Sequence, residues 1–238
     1  MNKKIIRIPE GIFFLGNYTG LCTQFPQNSF ILNKVMTGCG ATTMFLNDDV
    51  PTILCSPRRE MLHCKANSPE FRGKLHLFGS GVQGDVVPGK ICDMKNYIMS
   101  TMPVPSSFPA MKSTMIPKIL TTYDSAKYVI QGLREMGFLK FFRIVVDEFH
   151  TIFTDAAFRG DTEAEFMANI GKVPTQIVYL SATPFMEKYL DLLPEFSSLP
   201  YIELEWPESS KHLTSIVVSR YYRGSRTQTI RRLIVNSN

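Results

Sequence analysis

The sequence predicts an α/β domain built on a parallel, predominantly buried sheet. Two runs carry that prediction. Ile144, Val145 and Val146 stop abruptly at Asp147 and Glu148, and Ile177 to Leu180 stop at Ser181 and Thr183. Apolar runs of this length without polar alternation read as strands covered on both faces, which is the habit of parallel sheets. A third observation is the stripe Tyr128, Val129, Leu133 and Met136, whose helical spacing supplies a layer to cover such a sheet. The 238 residues suffice for one domain of about 200 residues and a remnant.

Taken in order, the amino-terminal MNKKIIRIPEGIFFLG reads as a first strand. Arg7, Pro9 and Glu10 interrupt its apolar patch and no small-residue cleavage site follows, which argues against a secretory leader. Phe30, Ile31 and Leu32 lead into VMTGCGATT, residues 35–43, and Met44, Phe45 and Leu46 continue a helix from it. Thr52 to Cys55 is a buried strand running into Pro57, Arg58, Arg59 and Glu60, a turn and a charged first helical turn. Residues 102–117 carry four prolines, four serines or threonines and no acid, and read as a surface loop. PKILTTYDSAKYVI, 117–130, is a strand and a helix with Asp124 or Ser125 as the cap. LPEFSSLP, 193–200, reads as the exit from the domain. The boundaries are then 1–207 for the α/β domain and 208–238 for a basic tail.

Composition narrows the function classes. A hydrophobic content of 44% argues against a disordered chain. No apolar run approaches the roughly 18 residues of a membrane helix, so no membrane partner is expected. The five cysteines, at 22, 39, 55, 64 and 92, form no CxxC pair and no zinc pattern, and suit a reduced, cytoplasmic setting. The chain has 26 Lys and Arg against 21 Asp and Glu. Six of the basic residues, and no acid, fall in the last 28 positions, so the basic character belongs to the tail. Tyr221 and Tyr222 lie within it. Such a stripe can hold a nucleic-acid backbone and stack a base, and it equally reads as a strand (LTSIVVSRYY) followed by a helix (SRTQTIRRLIV).

The chemistry concentrates at the strand ends. Ligands of parallel sheets bind outside the carboxyl ends of the strands, which is where Asp147, Glu148 and His150 fall. One carboxylate can hold magnesium and its neighbour can orient or deprotonate a water. Gly38 and Gly40 let consecutive amides of residues 37–43 point at a phosphate, and Thr42 or Thr43 offers a hydroxyl to the metal. A solvated acidic turn is the bland alternative for the isolated DE pair.

Strand–DEFH followed by strand–SAT resembles motifs II and III of the superfamily 2 helicases and translocases, and VMTGCGATT resembles their phosphate loop, G-x-x-x-x-G-K-[ST], in altered form. Residues 51–62 look like the segment that touches nucleic acid after the loop, and residues 117–122 like the segment that does so before DEFH. The resemblance spans about residues 25–206 and implies a three-layer RecA-like α/β domain with a predominantly parallel central sheet. It implies ATP and Mg2+ as cofactors, bound by Lys34, Thr37, Gly38, Cys39, Gly40, Ala41, Thr42 and Thr43. Thr42 and Asp147 would serve the metal, Glu148 the water, and His150, Ser181 and Thr183 the coupling to nucleic acid. Arg58, Arg59, Thr121 and Thr122 would contact a DNA or RNA backbone. The lysine-free loop also loosely resembles those of phage and mobile-element helicase-like proteins.

Two departures qualify that reading. Ala41 occupies the lysine position, and Val35 stands in place of the first glycine. Three readings stay open: Lys34 curls back to supply the charge, the loop binds nucleotide without turning it over, or it binds nothing. The second RecA-like domain that would supply an arginine finger is not evident, since the tail resembles only its opening. The expected function is therefore a helicase-like, nucleic-acid-dependent NTPase domain that works with a second RecA-like domain or a replication or recombination partner. The alternative is a non-catalytic scaffold that kept the fold and lost hydrolysis.

Overall fold

The computed structural model describes residues 3–79, 86–102, 115–154, 156–183, 190 and 194–210. The strands are β1 (Lys3–Arg7), β2 (Phe30–Asn33), β3 (Thr52–Ser56), β4 (His76–Phe78), β5 (Lys118–Thr122), β6 (Arg143–Val146), β7 (Ile177–Ser181) and β8 (Tyr201–Glu205). They form one sheet in the order β1-β8-β2-β7-β6-β3-β5-β4, and every neighbouring pair is parallel. The helices are α1 (Ala41–Asn47), α2 (Arg59–Ala66), α3 (Val86–Thr101), α4 (Ala126–Glu135), α5 (Thr151–Thr154), α6 (Ala156–Ile170) and α7 (Pro194–Ser197). This is a three-layer α/β fold, consistent with the RecA-like type.

Strand alternation divides the core into two clusters, one on each face. Ile53, Ile119, Ile144 and Val146 point toward α3, α4 and α6, where Met94, Val129, Leu133 and Phe166 meet them. Leu32, Leu54, Leu120 and Val145 point the other way, toward Met44 and Phe45 of α1 and Leu62 of α2. Every residue of β2, β3, β5, β6 and β7 is buried, so the uninterrupted apolar runs follow from coverage on both sides.

That division positions the site. The chain leaves β2 and β3 for helices on one face, and leaves β6 and β7 for helices on the other. Neighbouring strands whose connections diverge open a crevice at their carboxyl ends. Here β2 lies beside β7, and β6 lies between β7 and β3.

Three expectations change. LPEFSSLP is no exit: α7 returns the chain to β8, which pairs with β1 and β2 inside the sheet. The chain must add β8 there because β2 would otherwise be an edge with bare backbone groups. Ser125 is the N-cap of α4 but makes no side-chain capping bond. Tyr128 and Met136 only flank the α4 stripe, and Ile130 joins Val129 and Leu133 in its buried part. The remainder of the predicted 102–117 loop, residues 103–114, and the basic stretch 211–238 lie outside the described residues.

The amino-terminal edge of the sheet carries a buried charge network. Lys118 Nζ lies 2.9 Å from the Asp48 carboxylate and donates to the carbonyls of Phe45, Asp48 and Val50 at 3.1, 2.8 and 2.7 Å. Arg143 Nη2 meets the other Asp48 oxygen at 2.6 Å, and its guanidinium stacks on Phe45, 4.6 Å from the ring centre. Together they satisfy carbonyls at the carboxyl end of α1 that the helix itself leaves open.

Candidate functional site

The loop after β2 is held from several sides. Lys34 N–H donates to the Ser181 carbonyl at 2.7 Å, extending the β2–β7 ladder by one residue. The Lys34 carbonyl accepts a 2.9 Å hydrogen bond from the indole of Trp206, just beyond β8. The chain then turns sharply: Val35 has φ 59°, its N–H bonded to the Asn33 side chain at 3.0 Å. A β-branched residue in left-handed backbone is a steric outlier, and this is the position where the phosphate-loop pattern has glycine. Gly38 and Gly40 also take positive φ, 71° and 78°, and Gly40 starts α1.

Lys34 is buried and lies between the two acids that follow β6. Its Nζ is 3.3 Å from Asp147 Oδ1 and 3.1 Å from Glu148 Oε1. Burial works against the ammonium, but Asp147 and then Glu148 outweigh it, and the net direction of its pKa is up. Thr42 Oγ1 donates to the other Asp147 oxygen at 3.0 Å. The far oxygen of Glu148 is 3.3 Å from His150 Nδ1, and the same ring nitrogen is 3.2 Å from Ser181 Oγ. Ser181 Oγ also accepts the N–H of Thr183 at 3.0 Å. The backbone behind the acids is pinned: Tyr123 Oη donates to the Asp147 carbonyl at 2.6 Å, and Asp147 N–H to the Cys55 carbonyl at 2.9 Å.

Glu148 has φ 52°. Among the described residues, Val35 and Glu148 are the non-glycine residues with positive φ, and both fall in this one crevice. Backbone strain is retained where surrounding structure over-determines it, and such positions cluster at functional sites.

The structure thus brings together Lys34, Thr42, Asp147, Glu148, His150 and Ser181 from four separate stretches of chain. Thr37 and Gly38 are exposed at the tip of the loop. Cys39 is buried with its carbonyl accepting from Leu15 N–H at 2.8 Å, so its thiol packs rather than lines the loop. Burial raises its pKa, against the opposing pull of Lys34. Ala41 is 3% exposed and belongs to the apolar cluster of α1, so the position where the phosphate-loop pattern has lysine is packed into the core. Arg58 and Arg59 are exposed at the start of α2, on the same sheet edge. Thr121 and Thr122 are not: both are buried in β5, so neither presents a hydroxyl to a nucleic-acid backbone. Their small size serves the sheet, since residues on an interior strand face helices on both sides.

Sequence reasoning missed Lys65 and Trp206. Lys65, on α2, donates to Thr43 Oγ1 at 2.9 Å. Helical spacing signals neither contact, because both partners are remote in sequence.

The donor set fits magnesium in kind. A carboxylate and a hydroxyl, both hard oxygens, converge at Asp147 and Thr42, and magnesium bound with a nucleotide takes few protein ligands and completes its shell with phosphates and water. Among the described residues no cluster of three or more His, Cys, Asp or Glu side chains could hold a metal by itself. All five cysteines are free thiols, and among the described residues no helix is long and apolar enough to cross a membrane. A scan against protein-family models gives no match, and a search of curated proteins likewise gives none.

Proposed function

We propose that this domain binds a nucleoside triphosphate with magnesium in the crevice at the carboxyl ends of β2, β6 and β7, as a helicase-like NTPase domain that also meets a nucleic-acid backbone. The observation that carries this reading is the position of Lys34. It reaches the two acids from the end of β2, and so can supply the ammonium that Ala41 lacks. Asp147 and Thr42 would hold magnesium, which supplies charge neutralisation at the phosphates.

The role of Lys34 follows from its partners. Its ammonium bridges Asp147 and Glu148, offsetting one of their two charges and engaging one oxygen of each. Entering phosphates offer it a denser anion than one carboxylate, and its reorientation toward them releases Glu148 Oε1. Glu148 then retains His150 on its other oxygen and is free to orient or deprotonate a water. His150 Nδ1 is shared with Ser181, which links the base to β7. Arg58 and Arg59, exposed on the same edge, are suited to phosphodiester contacts.

The reading without turnover draws on a specific observation too. Ala41 is part of the core, so the loop is packed for a small residue and has not merely lost a side chain. The two readings part on hydrolysis.

Titration of a fluorescent ATP analogue with and without magnesium tests the proposal. Saturable, magnesium-dependent binding is expected; none up to millimolar ligand, where binding is worth only about 4 kcal/mol, would sink it. Glu148→Gln should then bind nucleotide nearly as well as the parent while any hydrolysis falls by about a hundredfold or more. Equal hydrolysis in parent and variant would remove Glu148 from the reaction.

A further inference from the structure

Lys34 alone leaves the crevice with the wrong charge for a polyphosphate. Asp147 and Glu148 carry two negative charges against its one positive, a net deficit before any anion arrives. Arg58 and Arg59 are exposed at the beginning of α2, and Arg59 already bonds His63 on its own helix at 3.2 Å. One further cation reaches the first turn of α1. Lys65, six residues along α2, stretches to α1 and donates to the Thr43 hydroxyl at 2.9 Å. Its ammonium also lies over the ring of Phe71, Nζ 5.8 Å from the ring centre.

The environment of Lys65 is unusual for a lysine. It is half-buried, and among the described residues its ammonium makes no ion pair; its polar partner is a neutral hydroxyl. Lysines ordinarily keep the charged head in water or pair it when it is desolvated. Burial lowers its pKa, and the fields of Asp147 and Glu70 are too weak to restore it. Thr43 follows Thr42, whose hydroxyl bonds Asp147, so the partner of Lys65 lies one residue from the crevice. A half-buried cation whose direct polar partner is a neutral hydroxyl in the first turn of α1 can accept an anion that is not part of the chain.

We propose that Lys65 is a second phosphate-binding residue of this crevice, contacting the phosphates of the nucleotide from the α2 side while Lys34 contacts them from the β2 side. The assignment rests on the nucleotide reading above and deepens it. Two lysines from separate elements take over what one lysine at position 41 does elsewhere. With both, two ammonium groups balance two carboxylates, and magnesium and the polyphosphate enter a neutral site. Thr43 is the positioning residue that aims Lys65.

The test compares the full-length parent with Lys65→Met and Lys65→Arg, using fluorescent ATP with magnesium and, separately, adenosine as competitor. Lys65→Met should weaken ATP by about tenfold or more, as expected for one charge-assisted hydrogen bond, and Lys65→Arg should recover most of it. Adenosine, which has no phosphate, should compete equally in parent and variant. If the parent binds ATP and Lys65→Met binds it equally well, Lys65 only packs on Phe71 and the assignment is overturned while the nucleotide reading stands. If the parent binds no nucleotide, both fall. Should Lys65→Met fail to fold, amine labelling of the unaltered protein decides, with peptide mapping by mass spectrometry. Magnesium ATP should protect Lys65 and leave exposed Lys74 unprotected; equal labelling of Lys65 with and without ATP overturns the assignment.

Discussion

At the amino-terminal edge of the sheet Lys118 and Arg143 share Asp48; at the carboxyl-terminal edge Lys34 lies between Asp147 and Glu148. Both clusters bury a lysine and both span several elements. Their charge runs in opposite directions: two cations to one acid at the first edge, two acids to one cation at the second. The pKa values follow. Burial pulls Lys118 below its ordinary value in spite of Asp48, whereas the two acids lift Lys34 above its own in spite of burial. The surplus cation of the first edge is absorbed by backbone carbonyls of the α1 terminus, which the chain itself provides. The surplus negative charge of the second edge has no second cation in direct contact, since Lys65 bonds Thr43 and reaches Asp147 only through its field. One cluster closes on backbone carbonyls; the other ends in carboxylates at the carboxyl edge of the sheet, where we propose the nucleotide binds.

The sharpest way to break the comparison is Asp48→Asn. It leaves Lys118 and Arg143 buried without a counter-charge, a change that costs about 3–5 kcal/mol in comparable sites. Urea unfolding should show that loss. A change below about 1 kcal/mol would mean the carbonyls alone sustain both cations, within the range of ordinary surface substitutions.

Lys34→Ala should act in the opposite register. Asp147 and Glu148 lie at an open edge where water can reach Glu148, so the stability loss should be smaller than for Asp48→Asn. Nucleotide affinity should fall by roughly tenfold to a hundredfold, the value of a charged hydrogen bond. Ala41→Lys should not rescue it, because the new side chain would start from the apolar cluster around Phe45. Parent-like ATP affinity in Lys34→Ala would remove the displaced lysine from the site.

Alkaline titration sharpens the contrast further. The folded state holds the Lys118 proton more weakly than the unfolded chain, so stability should rise as pH climbs from its lowered pKa toward the ordinary lysine value of 10.5. The folded state holds the Lys34 proton more tightly, so its contribution is full below 10.5 and lost as pH passes its raised pKa. Lys118→Met should flatten the rising limb and Lys34→Met the falling one in a series of unfolding curves. Identical limbs in parent and variants would show that neither lysine governs the alkaline behaviour.

Much of this was legible in the sequence, for reasons particular residues make plain. Parallel strands buried on both faces betray themselves as unbroken apolar runs, so β3, β6 and β7 were readable from 52–55, 144–146 and 177–180. Abrupt polar ends to such runs mark the ligand edge, which identified Asp147, Glu148 and Ser181. Thr121 and Thr122 misled because a hydroxyl at a strand end looks the same whether it faces solvent or a neighbouring helix. Residues 193–200 read as the exit from the domain because Pro194 and Pro200 bracket a short helix and conceal that the next residues return to the sheet. Lys65 and Trp206 were invisible because their partners, Thr43 in α1 and Lys34 after β2, are remote in sequence and meet them only after folding.

The smallest effect concerns the loop itself. Val35→Gly should relieve the left-handed strain, worth about 1–2 kcal/mol, but glycine loses more chain entropy on folding, about 0.5–1 kcal/mol. A net gain of less than about 1 kcal/mol is expected, read as a small upward shift in urea midpoint. A destabilised Val35→Gly would show that the exposed valine side chain contributes something its backbone costs conceal.

Trp206, the one tryptophan of the chain, donates its indole N–H to the carbonyl of Lys34, and its ring is buried against the same cluster as α1. Indole emission shifts with the hydrogen bonding and polarity around the ring. The domain therefore carries a native optical reporter bonded to the peptide unit of Lys34, the residue proposed to meet the phosphates. Movement of Lys34 toward a phosphate would tug that carbonyl, and the emission of the unlabelled protein would register it in real time, separating arrival of the ligand from rearrangement of the loop.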